Sequence, residues 1–453
     1  MKPRKVENLK DWDDNHPKLR HLQSSKLKMM QVFKFGGASV NSVERVKNVA
    51  DILQSYKDQP LLIVVSAMGK TTNALEKVAE AFYAGNQQEA LLLFEQVKQQ
   101  HLTTAKYLLV TQYLACEAQL KDFFTEVEWL LHDDPVREFD YYYDQIVCAG
   151  ELLSTAIVSH YLNEAGLNCA WMDVRDILRT DDNFRDANID REFTQQKVTE
   201  IIRPVLDSGR IVLTQGFIGA TDENESTTLG REGSDYSAAV FSNMLHAERL
   251  TIWKDVDSVM NADPKEITDA LPIAELNYTE VIEMAYYGAQ VIHPKTIKPL
   301  QNQDIPLQVK SFLNPALPGT IIHRCSIKNL PPIIVIKRNQ VMIELKTKDF
   351  SFIGEHSTEM LYEWFEKLFI TPTLTQNGAV SIVYAFDHKQ EKISQFAAEA
   401  AQYFDVQVTP GLTLLTIRHY DPAAIEKYCG AQSFFVKQQT AQNFRVLYQA
   451  AAH

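Results

Sequence analysis

Two short glycine loops hold the residues best suited to chemistry. In Lys34-Phe-Gly-Gly-Ala-Ser39 an apolar run delivers a lysine, then Gly36 and Gly37. Glycine lets backbone N–H groups approach phosphate oxygens, because no Cβ intervenes. A lysine beside them neutralises charge that builds up as a phosphoryl group moves. The bland alternative is a Gly-Gly turn with a surface lysine. The second loop, Gly230-Arg-Glu-Gly-Ser-Asp235, runs into a helical pattern with Ser234 or Asp235 as the expected N-cap. Helix N-termini bind anions through their free N–H groups. Arg231 adds a planar fork that matches a carboxylate. A capped helix with a solvated arginine is the competing reading.

Two further loops follow apolar runs. Ser66-Ala-Met-Gly-Lys-Thr-Thr-Asn73 contains a Gly-Lys-Thr triplet like the end of a phosphate-binding P-loop. That motif needs a glycine at position 64, where Val64 stands, so a P-loop is rejected. Ser66 and Thr72 still offer hydroxyls to a ligand. The segment Trp253–Lys265 carries Asp255, Asp257 and Asp263 with Lys254 and Lys265. It reads as a nucleotide loop or as a polar crossover.

These loops need a scaffold. Val32–Phe35 and Leu61–Val65 read as short strands, the latter apolar throughout as a parallel sheet buried on both faces requires. Arg210–Leu213 and Arg249–Trp253 are two more. Residues 74–132 have few glycines and no proline and read as one long helical stretch; Ile146–Leu162 reads as a helix around Glu151. Alternating strands and helices give an α/β domain with a mainly parallel sheet. Ligands of such sheets sit beyond the carboxyl ends of the strands, where all these loops lie.

The pattern changes after residue 326. Leu330-Pro331-Pro332 reads as a linker, and residues 333–410 follow a ferredoxin-like βαββαβ order. Residues 411–453 repeat the unit incompletely. Residues 1–29 are polar, lack an apolar signal core and read as an extension outside the folded domains, with Met29 or Met30 as alternative starts.

Composition narrows the function classes. The chain has 453 residues, enough for two or three domains. Its net charge of −13 leaves no basic surplus for nucleic acid or an anionic membrane. Five scattered cysteines, none in a CxxC pair, argue against a disulfide framework or a zinc site and fit a reducing compartment. No run of about 18 apolar residues marks a membrane span.

In their order the loops resemble the aspartate kinases of the amino acid kinase family. The matching segments are Lys34–Val40, Ser66–Asn73, Gly150–Ser154, Gln215–Ala239, Trp253–Lys265, Tyr287–Thr296 and Ile305–Ile321. The resemblance implies a three-layer αβα sandwich over 30–326 and a regulatory tail of two ACT-like units, at about 333–410 and 411–453. It implies transfer of the ATP γ-phosphate, with Mg2+, to the β-carboxylate of L-aspartate, and feedback by an amino acid such as lysine or threonine. By the same resemblance Lys34 contacts the transferred phosphate, with Gly36 and Gly37 beside it. Ser66, Thr72, Glu151, Arg231 and Ser234 surround the amino acid, and Asp235 lies beside the reacting groups. Lys254, Asp255, Met260 and Lys265 fall where the nucleotide is held.

Physical chemistry agrees with these roles. Aspartate needs a cation for a carboxylate and an acid for its ammonium, and Arg231 and Glu151 supply that pair. Its side-chain carboxylate, with a pKa of about 3.9, is ionised at neutral pH and needs no general base. His293, before Pro294, reads as structural. Several positions depart from the family pattern: Ala38 replaces threonine, Glu232 replaces glycine or asparagine, Lys254 replaces threonine, Met260 replaces tyrosine and Gln290 replaces lysine.

The expected protein is a cytoplasmic homodimer or dimer of dimers, with the unfinished second tail unit leaving a sheet edge to cover. The alternatives are a sister kinase for glutamate, acetylglutamate, carbamate or a nucleotide, and an amino-acid sensor with a decayed kinase domain.

Overall fold

The computed structural model describes residues 30–327, 329–430 and 433–449. The extension 1–29 lies outside them. An eight-stranded sheet organises the first domain. Its strands run in the order Glu275–Asn277, Thr320–His323, Leu307–Ser311, Arg249–Lys254, Gln31–Phe35, Leu61–Val65, Ile211–Gln215, Cys169–Met172. Every pairing is parallel except that of Leu307–Ser311 with Thr320–His323. Leu61–Val65 is fully buried, as its unbroken apolar sequence requires.

Helices cover both faces, giving three αβα layers. Val43–Gln54 and Ala149–Glu164 pack together on one side, Gly233–Leu245 and Pro294–Gln301 on the other. Ala149–Glu164 buries every residue from Ala149 to Ser159, polar ones included, because other helices and the sheet enclose it.

The long helical stretch expected over 74–132 is three helices: Thr71–Tyr83, Gln87–Leu108 and Tyr113–His132. The first break falls at Gly85, whose φ of +79° ends the preceding helix. The second has a distant cause. The Glu164 carboxylate accepts hydrogen bonds from the backbone N–H groups of Val110, Thr111 and Gln112 and so caps the third helix. No helix among the described residues is long and apolar enough to cross a membrane.

The tail builds one six-stranded antiparallel sheet, in the order Leu374–Asn377, Ser381–Asp387, Ile333–Thr347, Phe404–Arg418, Asn443–Tyr448, Val436–Gln439. The division expected at 410/411 falls inside the strand Phe404–Arg418. Pro410 and Gly411 sit where its pairing with Ile333–Thr347 shifts register, between Lys337 and Met342. Pro and Gly are tolerated at such a bulge. The helix Gln390–Ala400 leads into this strand at Phe404.

Two apolar cores flank that bulge. Val341, Ile343, Leu361, Phe365, Phe396 and Phe404 belong to one. Ile334, Leu415, Ile417, Phe444 and Val446 form the other, together with Ala262 and Ile267 of the first domain. The second unit thus borrows Ile333–Lys337 from the start of the tail. Its expected open edge is partly covered, since the Gln438 side-chain amide donates to Thr375 O at 2.7 Å across the two outer strands.

Candidate active site

The strand Gln31–Phe35 carries Lys34 to the carboxyl end of the sheet. The loop after it packs backbone to backbone on the loop after Leu61–Val65. Gly69 N–H donates to Gly37 O at 3.1 Å, and a Cβ on Gly37 would lie 2.6 Å from Ala67 O. Only glycine fits there. Gly216 plays a similar part under the second loop, where a Cβ would meet Ser234 Cβ at 2.7 Å.

The helix after the second loop begins at Gly233, earlier than expected. Its N-cap is Glu232, in the left-handed region at φ 53°, with no side-chain capping bond. Ser234 and Asp235 are therefore inside the first turn, not caps. Asp235 gains from the positive end of the helix. It also pairs with Lys34 Nζ at 2.6 Å. Burial pushes the Asp235 carboxyl upward, but the charges of Lys34 and Lys254 outweigh it and hold it below the usual range. Lys254 Nζ in turn donates to Val291 O at 2.7 Å.

Glu151 projects from the buried helix Ala149–Glu164 and is 3% exposed. Burial pushes its carboxyl up to about 8, against the lowering effects of the Ala67 N–H and Lys34. Its Oε2 has no hydrogen-bond partner among the described residues. A buried, unpaired carboxylate oxygen calls for a cation or a donor. Neighbouring groups are structural: Ser154 Oγ donates to Ser66 O, and Thr71 Oγ1 to Met68 O, each at 2.7 Å.

One cavity of about 610 Å3 joins these groups. Lys34, Gly36, Gly37, Ser66, Thr72, Glu151, Arg231, Ser234, Asp235, Lys254 and Asp255 all line it. Met260 and Lys265 do not. Met260 Sδ accepts from Ser258 Oγ, and Lys265 is exposed with its N–H on Asp263. Arg185, Tyr143 and Phe217 also line the cavity, although the sequence did not single them out. Arg185 sits at φ +69°, its N–H bound to Asp144 Oδ2 at 3.0 Å and its guanidinium 4.3 Å from the centre of the Tyr143 ring. His293 is structural, as expected: its Nδ1 accepts from Lys295 N–H and caps the helix Pro294–Gln301.

The model of the amino acid kinase family matches residues 29–311. The lysine-sensitive aspartokinase 3 of Escherichia coli (strain K12) is 30% identical over 436 residues, which cover 93% of this chain and 94% of the relative. The chain belongs to the amino acid kinase family, among the aspartokinases. The fold agrees. The structure of E. coli aspartokinase III with aspartate and ADP aligns with a TM-score of 0.76 at 26% identity, covering 93% of this chain and 96% of that one. A bifunctional aspartokinase/homoserine dehydrogenase 2 of Arabidopsis thaliana is 34% identical over 304 residues, 66% of this chain and 33% of the relative. The chain spans about a third of the length of such bifunctional plant aspartokinases.

Within this aspartokinase residue 232 has a left-handed backbone, a region that glycine and asparagine enter most easily. Glu232 also lines the cavity, and its carboxylate is engaged there. Its Oε2 accepts from the His293 backbone N–H at 3.0 Å.

Proposed function

We propose that the protein transfers the γ-phosphoryl group of ATP to the β-carboxylate of L-aspartate, forming 4-phospho-L-aspartate. The observation that carries this reading is the buried Glu151 carboxylate, with one unpartnered oxygen, in the same cavity as Arg231 and the Lys34–Asp235 pair. An amino acid with an ammonium and two carboxylates answers both charges. Glu151 takes the ammonium, Arg231 a carboxylate, and Ser66, Thr72 and Ser234 offer hydroxyls. Lys34 and the N–H groups around Gly36 and Gly37 neutralise the moving phosphoryl group, and Asp235 orients Lys34. Lys254 and Asp255 face the nucleotide.

No proton need leave the attacking carboxylate, so positioning and charge neutralisation carry the rate. Mg2+ would neutralise phosphate charge. Asp235 is already engaged by Lys34, so such an ion would be held chiefly by phosphate oxygens, with Asp255 the freer carboxylate.

The tail is proposed to bind an amino-acid effector, lysine or threonine; the E. coli relative is described as lysine-sensitive. Self-association as a homodimer or dimer of dimers is proposed through the tail, where Phe350, Phe352 and Phe369 are 80% or more exposed. A cytoplasmic setting suits five unbridged cysteines.

The test is an assay with aspartate, ATP and Mg2+ that traps the acyl phosphate as a hydroxamate. Aspartate-dependent hydroxamate is expected, and a folded sample that forms none defeats the reading. Arg231→Ala is expected to raise the KM for aspartate at least about tenfold more than that for ATP. Equal effects on both substrates would remove Arg231 from the amino-acid pocket.

A further inference from the structure

Glu232 holds a left-handed backbone at φ 53°, ψ 28° that a glutamate adopts only under strain. Such strain persists where surrounding contacts over-determine it. The contact here is specific. Glu232 Oε2 accepts from His293 N–H at 3.0 Å, at the N-terminus of the helix Pro294–Gln301, where a negative charge is favoured. Two residues upstream, Val291 O accepts from Lys254 Nζ at 2.7 Å. From the same helix, Lys295 Nζ returns to Leu229 O at 3.1 Å, just before the second glycine loop. The segment Val291–Lys295 therefore touches the loop that carries Arg231 and the lysine that faces the nucleotide.

We infer that Glu232 is a positioning residue whose carboxylate ties the Arg231 loop to the Val291–His293 segment that holds Lys254, setting the amino-acid and nucleotide halves of the site relative to each other. The inference rests on the function proposed above. It assigns this cavity-lining acid a structural partner in the His293 N–H.

Two variants test it, with melting temperature and steady-state kinetics measured on each. Glu232→Gly installs the residue the backbone prefers and removes the tether. It is expected to melt at a higher temperature than the parent yet show KM values raised about tenfold for aspartate and several-fold for ATP. Glu232→Gln keeps an oxygen for the His293 N–H and is expected to return both KM values to within about twofold of the parent. A merely structural role would lower stability and activity together. Parent-like KM values in Glu232→Gly overturn the inference, as does a Glu232→Gln variant as impaired as Glu232→Gly. A parent enzyme without aspartate-dependent turnover defeats the proposed function and takes this inference with it; an active parent with an unaffected Glu232→Gly defeats the inference alone.

Discussion

Glu151 has opposite effects on the empty and the occupied site. Burial holds its carboxyl up to about 8, against an ordinary 4.5. A folded pKa above the unfolded one contributes stability that is complete below the unfolded value and lost as pH rises through the folded one. The ligand-free protein should therefore lose stability between about pH 4.5 and pH 8 on account of this group. Glu151→Gln should flatten that slope in chemical denaturation and raise the KM for aspartate about tenfold or more, since the ammonium loses its counter-charge. Aspartate binding near pH 7 should release a proton from Glu151. Titration calorimetry in buffers of different ionisation enthalpy reads that proton directly, and buffer-independent heats would contradict it. The residues of this site were unequally legible in the sequence. Lys34, Gly36 and Gly37 stand at the end of an apolar run and Arg231 in a glycine loop before a helical pattern, and only the order of the loops singled them out. Arg185 lines the cavity with its backbone held by Asp144, far back in the chain. The partner of Glu232 is equally remote, so the sequence marked the residue as odd but left its direction open.

Among the elements, the two loops after the first two strands leave the least room. A Cβ on Gly37 would lie 2.6 Å from Ala67 O and 3.1 Å from Gly69 O, both backbone atoms with no flexible end to move. Gly37→Ala is expected to destabilise the protein by about 1–3 kcal/mol. It should also raise the KM for ATP, because the loop that presents N–H groups to phosphate must shift. Urea melts and kinetics on the same sample check both, and an unchanged midpoint would mean that the loops part easily. The strands of the catalytic domain were readable because each is a short apolar run ended by a polar loop. The breaks in the stretch Thr71–His132 were less so. One depends on the backbone of Gly85, and the other on Glu164, a cap supplied from a separate helix. Neither leaves a mark in local apolar periodicity.

Across the whole molecule, the tail is fastened to the catalytic domain by a buried ion pair. Arg418 reaches Glu280 with Nε at 2.7 Å and Nη2 at 2.9 Å, and its Nη1 meets Glu283 at 2.9 Å. Burial pushes Glu280 up, but the hydrogen bonds of Arg418 and His419 hold it at about 2. With the folded pKa depressed, its contribution to stability is present above the ordinary 4.5 and lost as pH falls from there towards 2. Arg418→Met strands a buried carboxylate and should destabilise the protein by about 3–5 kcal/mol. Adding Glu280→Leu should recover much of that loss. A double variant as unstable as the single one would show that the pair is not the fastening. Glu280 lies on the helix Tyr278–Tyr287, which leads into the segment that Glu232 and Lys254 hold. The ferredoxin-like order of the tail was legible in its alternating strands and amphipathic helices. The sharing of strands was not, because a strand that crosses from one unit to the next reads like two strands in succession.

That sharing also sets an order in time. Residues 341–404 contain one complete core and can close as soon as they leave the ribosome. The other core joins Ile334 to Phe444 and Val446, so it must wait for nearly the whole chain. Ala262 and Ile267 are synthesised long before it and belong to the same core. Domains fold as units during synthesis. Each newly made molecule thus passes through a period in which the catalytic sheet has formed, Ala262 and Ile267 await their core, and Glu280 has no partner. In that period any restraint the tail exerts on catalysis is not yet in force.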